Sequence, residues 1–281
     1  MLRNYSELQA RIVTGFVSAL VAVCCLFFLS DEFFYAFICA VFGICAWEWG
    51  NLAGISSFRA LLYTVSLAGL VALSVLLKIS PVWIISIGLV WWGIALFLVM
   101  VYPKFCRFWS APLTLLIIGI IVLLPSFFAF IGLKSHQNAD TLILILLVFI
   151  WGADIGAFFI GKAIGGAKLC ARVSPGKTWS GVIGGALIVS LLSVLLFQMF
   201  DEIRLLGWHF SFFFCLALFV SIISVIGDLT LSMFKRARGI KDSGSLLPGH
   251  GGFLDRVDSL LSASPIFSVV VALSKLYVLP F

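Results

Sequence analysis

Nine apolar runs, each close to the length of a membrane-crossing helix and bounded by charge, proline or glycine, take up most of this chain. They lie near 12–29, 33–55, 60–77, 81–101, 112–133, 140–161, 179–200, 210–234 and 260–279. A bilayer core about 30 Å thick is spanned by roughly 20 apolar residues in an α-helix, so each run suits one crossing. Hydrophobic residues make up 63% of the 281 and charged ones only 11%, more apolar surface than a soluble fold can bury, so lipid must act as solvent. The expected fold class is all-α: a polytopic transmembrane bundle of about nine helices. It forms a single integral membrane domain over 1–281, with amino-terminal helices in 1–133 and the chemistry in 134–281. The first run follows Arg3 and Arg11 like the core of a signal peptide. After Leu29, however, the chain reads Ser30-Asp31-Glu32-Phe33 rather than a small-residue cleavage site, so the run is read as a retained helix.

The basic residues assign the two sides. With the amino terminus cytoplasmic, fourteen of the eighteen Lys and Arg residues fall in cytoplasmic loops. Only Lys78, Lys134, Arg204 and Lys275 lie near the other side, the bias expected of the cytoplasmic face. An odd number of helices then puts the carboxyl terminus outside. Both long polar loops, 162–178 and 235–259, face the cytosol and hold nine basic residues. The net charge of +6 is thereby explained by topology, without a nucleic-acid partner. Seven cysteines form no Cys-x-x-Cys pair, and five lie inside apolar runs, where a thiol acts as a small hydrophobe.

The densest polar segment runs from Ser224 to Ser259 and holds four of the twelve acids. Asp228 interrupts an apolar run, where a charge costs roughly 3 kcal/mol at mid-membrane, so it calls for a cation, a wet cavity or a place near the helix end. Ser224, Asp228, Ser232, Lys235 and Arg236 follow at steps of three or four, which puts them along one helical face. Asp255 and Asp258 are three apart and point the same way if the last helix begins near Leu254, making a hard-oxygen pair suited to Mg²⁺. Acids in a first turn also suit the helix dipole without any metal. Between them and Asp228 lies Gly249-His250-Gly251-Gly252, whose glycines can turn consecutive N–H groups toward phosphate oxygens, as a plain flexible loop would also allow. His250 is either a phosphate contact or a lone loop residue.

From Ser232 to Ser259 the order Ser-x-x-Lys-Arg-x-x-Gly-x-Lys-Asp-x-Gly, then Pro-Gly-His-Gly-Gly-x-x-Asp-Arg-x-Asp-Ser, resembles the signature of phosphatidate cytidylyltransferases, or CDP-diacylglycerol synthases. Trp151-Gly152-Ala153-Asp154 and Ser174-Pro175-Gly176-Lys177-Thr178-Trp179 look like that family's other polar motifs. Ser180 departs from the acid or amide that many relatives carry there. Trp47-Glu48-Trp49 gives only a loose likeness in the second helix and supports no site. Gly176-Lys177-Thr178 is not a P-loop, because Ala171 stands where the first glycine belongs and Pro175 removes a backbone donor.

The resemblance implies an enzyme of a bacterial inner membrane that transfers a cytidylyl group from CTP to phosphatidate and releases pyrophosphate, possessing CTP and membrane lipid as partners and forming a homodimer. Two anionic reactants repel, so positioning and charge neutralisation carry the catalysis. Mg²⁺ is expected on Asp228 and Asp255, with Asp258 as a further ligand, Asp154 as a weaker candidate, and a second cation of unassigned identity. Lys235, Arg236, Lys241 and Arg256 would hold phosphates, and Ser174, Lys177, Thr178, Ser224, Ser232, Asp242, His250, Gly251 and Gly252 would contact substrate. A CTP-dependent polyprenol kinase is the nearest rival, and an ion-coupled transporter is the rival from another class.

Overall fold

The computed structural model describes residues 15, 17–246 and 251–276. Among them α1 (Val17–Phe28) is a short apolar helix, and the first predicted run extends beyond it into residues outside those described. Eight further helices are long and apolar enough to cross a membrane. They are α2 (Asp31–Ala53), α3 (Ser57–Leu76), α4 (Pro81–Val101), α6 (Pro112–Lys134), α7 (Ala139–Ile164), α8 (Trp179–Met199), α10 (Phe210–Ala237) and α11 (Leu254–Leu276). Two short helices, α5 (Cys106–Trp109) and α9 (Asp201–Leu205), fill turns between them. The chain is thus a multi-pass helical membrane protein. The last helix begins at Leu254, six residues ahead of the apolar run that announced it, because Asp255, Arg256 and Asp258 occupy its opening turns.

One element was not legible as such: the loop after α7 folds into an antiparallel hairpin, β1 (Lys168–Cys170) with β2 (Ser174–Thr178). At three and five residues these strands are too short for a period-two pattern to register.

Helices meet where side chains are small or where polar groups bridge. One close approach joins α7 to α8, where a Cβ on Gly185 would stand 2.7 Å from the Ala153 carbonyl oxygen, so only glycine lets the backbones come this near. In α11, Pro265 lacks the N–H that would bond the Leu261 carbonyl. The Ser126 hydroxyl of α6 lies 2.7 Å from that oxygen and supplies the missing donor.

Two sets of contacts mark the ends of the bundle. At one end Lys134, closing α6, lies 2.7 Å from Asp140 and 3.5 Å from Asp31, which open α7 and α2. At the other, Arg238 beyond α10 donates to the Leu52 carbonyl near the close of α2, and Arg236 donates to Val173 in the hairpin. The hairpin and the described parts of the connection, 238–246 and 251–253, therefore share the end away from Lys134.

Candidate active site

A cavity of about 820 Å³ opens at the hairpin end. Its wall takes Asp154, Phe158 and Lys162 from α7, Lys168, Ser174, Lys177 and Thr178 from the hairpin, and Gly181 and Val182 from α8. Val225, Asp228 and Lys235 come from α10, Asp242 from the connection, and Asp255, Arg256 and Asp258 from α11. Five carboxylates and five basic side chains line it. In a chain with so few charges, that concentration makes this cavity the candidate site for ionic chemistry.

Asp228 has a cation and a polar-lined cavity beside it, as its position in an apolar helix demands. Lys177 Nζ lies 2.6 Å from its Oδ2, and the Ser232 hydroxyl donates to its Oδ1 at 3.1 Å, one helical turn on. Asp154 and Asp258 lie within electrostatic reach of Asp228, so carboxylates from α7, α10 and α11 gather around one space. Lys235 feels both Asp228 and Asp258 while bonding Asp255 directly, at 2.7 Å.

Asp255 is buried and its oxygens are engaged on both sides. Oδ1 accepts from Lys235, while Oδ2 accepts the backbone N–H groups of Ser243 at 2.9 Å and Gly252 at 3.1 Å. Beside it lies Glu48 of α2, fully buried. It accepts from the Ser243 hydroxyl at 3.1 Å, the Phe253 N–H at 3.0 Å and the Leu254 N–H at 2.7 Å. These last are N–H groups at a helix start, which have no acceptor within the helix. A Cβ on Gly252 would stand 2.6 Å from Glu48 Oε2, so the close approach depends on glycine there.

The hairpin is fastened on both flanks. Thr178 caps α8, its hydroxyl oxygen accepting from the Gly181 N–H at 3.1 Å. Ser180 donates to the Gly165 carbonyl, which can only accept, so the 2.9 Å contact between the two hydroxyls runs from Thr178 to Ser180. Ser180, the position that departs from the resembled pattern, thus ties the end of α7 to the start of α8.

Of the residues expected from sequence, Asp154, Ser174, Lys177, Thr178, Asp228, Lys235, Asp242, Asp255, Arg256 and Asp258 all line this one cavity. Four do not. Arg236 bonds the carbonyls of Val173 and Ile240, which makes it a pin for the hairpin rather than a wall residue. Ser224 is fully buried and donates to Ser221 within its own helix. Ser232 donates to Asp228, and Lys241 is exposed off the wall. Gly251 and Gly252 lie against Asp242 and Glu48, and His250 lies outside the described residues. Among the described residues no three His, Cys, Asp or Glu side chains stand close enough to grip a metal ion as they are placed. Lys162 and Lys168 line the cavity without having been singled out, since sequence marks them only as basic loop residues. Glu48 was passed over although the argument applied to Asp228, a lone acid within an apolar run, applies to it equally.

Fold and site together define a multi-pass membrane protein with a charged, enzyme-like cavity at one end of its helical bundle. The profile of the cytidylyltransferase family matches residues 9–274. A phosphatidate cytidylyltransferase of Pseudomonas aeruginosa is 42% identical over 272 residues, covering 94% of this chain and 97% of the relative. One from Haemophilus influenzae is 38% identical, covering 93% and 97%, and one from Brucella suis 35%, covering 93% and 92%. The chain belongs to the cytidylyltransferase family, and is a nucleotidyltransferase.

Proposed function

We propose that the chain is a phosphatidate cytidylyltransferase, making CDP-diacylglycerol and pyrophosphate from phosphatidate and CTP in phospholipid synthesis. The observation that carries this is the mixed acidic and basic cavity at the membrane-end of a bundle whose relatives bear that activity in their names. In the reaction a phosphate oxygen of phosphatidate bonds to the α-phosphorus of CTP, and the bond from that phosphorus to the bridging oxygen breaks. The attacking oxygen is already ionised, so no protein nucleophile is required. Lys162, Lys168, Lys177 and Arg256 surround the two phosphate groups with positive charge and lower their repulsion. Lys177 holds Asp228 until a phosphate competes for its ammonium group.

Asp154, Asp228 and Asp258 present hard oxygen donors from three helices to one cavity, a donor set whose chemistry and mutual repulsion suit Mg²⁺. A bound Mg²⁺ would neutralise triphosphate charge and that of the departing pyrophosphate. Asp255 is assigned instead to holding Lys235 and the connection, since three donors already occupy it. The excess of basic residues at the hairpin end supports a cavity facing the cytosol from a bacterial inner membrane.

Purified protein incubated with Mg²⁺, phosphatidate and CTP labelled in its α-phosphate should place the label in lipid and release one pyrophosphate per lipid labelled. Labelled CDP and a new lipid phosphate, formed when a polyprenol replaces phosphatidate, would replace this proposal by the kinase, and no turnover of CTP with either lipid would end it. In sealed inside-out vesicles, CTP added outside should be used without permeabilisation.

A further inference from the structure

Glu48 belongs to the part of the chain that supplies no residue to the cavity wall, yet it reaches the connection that leads into α11. Both its oxygens accept, one from Phe253 and the other from Ser243 and Leu254, across some two hundred residues of sequence. Among the described residues no basic side chain pairs with it, so the opening N–H groups of α11 and their dipole meet its charge. Ser243 is held twice, by its hydroxyl to Glu48 and by its N–H to Asp255. A movement of Glu48 is therefore passed through one residue to the carboxylate that grips Lys235, and along the first turn to Asp258.

We propose that Glu48 is a positioning residue for cytidylyl transfer: it fixes Ser243 and the start of α11 so that Asp255 meets Lys235 and Asp258 faces the cavity. This rests on the activity proposed above. A contact that only glued α2 to α11 would be content with any packed pair. This one places acceptors on both sides of the carboxylate, and Gly244 and Gly252 leave it room. A glutamine has one acceptor oxygen, so Glu48→Gln turns an amide NH₂ toward a backbone N–H and displaces the connection while keeping the volume.

The test compares Glu48→Gln, Glu48→Asp and Ser243→Ala with wild type for melting in detergent, kcat, KM for each substrate and the Mg²⁺ concentration giving half-maximal rate. Glu48→Gln should melt cooperatively, with kcat lowered about 10- to 100-fold. Half-activation should need several-fold more Mg²⁺, the KM for phosphatidate should stay within about twofold, and Glu48→Asp should recover part of the rate. Ser243→Ala, the milder change, should move kcat and the Mg²⁺ response in the same direction, and it decides the matter if Glu48→Gln does not fold. Lower melting temperatures with wild-type kcat and Mg²⁺ response would reduce Glu48 to scaffold and overturn the proposal. Wild type that turns over no CTP overturns the activity beneath it, an outcome visible before any variant is made.

Discussion

Lys177 Nζ and Asp228 Oδ2 lie 2.6 Å apart, an ion pair that joins the hairpin to α10 across the charged cavity. Each side chain keeps a quarter to a third of its surface exposed, so the pair can open to an incoming phosphate. Lys177→Met should lower kcat/KM for CTP by about 10²- to 10³-fold, the loss typical when a donor to developing charge is removed. Lys177→Arg should restore part of it. Asp228→Asn should abolish turnover and flatten the response to Mg²⁺. Steady-state kinetics across a Mg²⁺ series reads both, and full activity in Asp228→Asn would remove the metal assignment.

Lys235 and Asp255 form a second pair of another kind, with side chains only 11% and 4% exposed. Removing one member strands a buried charge, at a cost of about 3–5 kcal/mol. Lys235→Met and Asp255→Leu singly should each lower the melting temperature in detergent sharply. The double variant should regain part of that stability, the Ser243 and Gly252 N–H groups still lacking their acceptor, and none of the activity, since the cavity loses a cation and the connection loses its anchor. A double variant no more stable than either single one would show that the pair contributes little.

How far the sequence could be read follows from the signal each feature leaves. Eight spans were visible because lipid selects long apolar runs, and the convergence of Asp154, Lys177, Asp228 and Asp258 was visible because charges in such a chain are few. The part played by Arg236 was not. Adjacent to Lys235 on one helix, it looks from spacing like a second phosphate ligand, but one residue turns a helix by about 100°, and its side chain points to the hairpin carbonyl of Val173 instead. Nor could spacing foresee that Asp255 would be filled by Lys235 and two N–H groups, because two of those three donors are backbone and have no side-chain signature.

Arg236 therefore gives a prediction opposite to that of a phosphate ligand. Arg236→Ala should loosen the 168–178 hairpin, seen as faster amide exchange there, and lower kcat/KM by about tenfold, consistent with lost positioning alone. The stacking of donors onto Val173 and Ile240 needs the guanidinium fork, so Arg236→Lys should not rescue it. A loss confined to KM for CTP, with hairpin exchange unchanged, would return Arg236 to the list of substrate contacts.

Ser126 and Leu261 test the packing of the bundle apart from its chemistry. Pro265 leaves the Leu261 carbonyl without its helical donor, and the Ser126 hydroxyl supplies one from α6. The same hydroxyl lies 2.8 Å from Val122 O in its own helix, so its single hydrogen is shared between an acceptor already bonded and one that is not. Ser126→Ala should cost about 0.6 kcal/mol, the average for interhelical hydrogen bonds in membranes, and leave turnover at the wild-type level. In a Pro265→Ala background the restored N–H of residue 265 can reach Leu261, so the same serine substitution should cost measurably less. A double-mutant cycle on detergent unfolding isolates the coupling; equal costs in both backgrounds would mean that the proline, not the serine, decides how α6 and α11 meet.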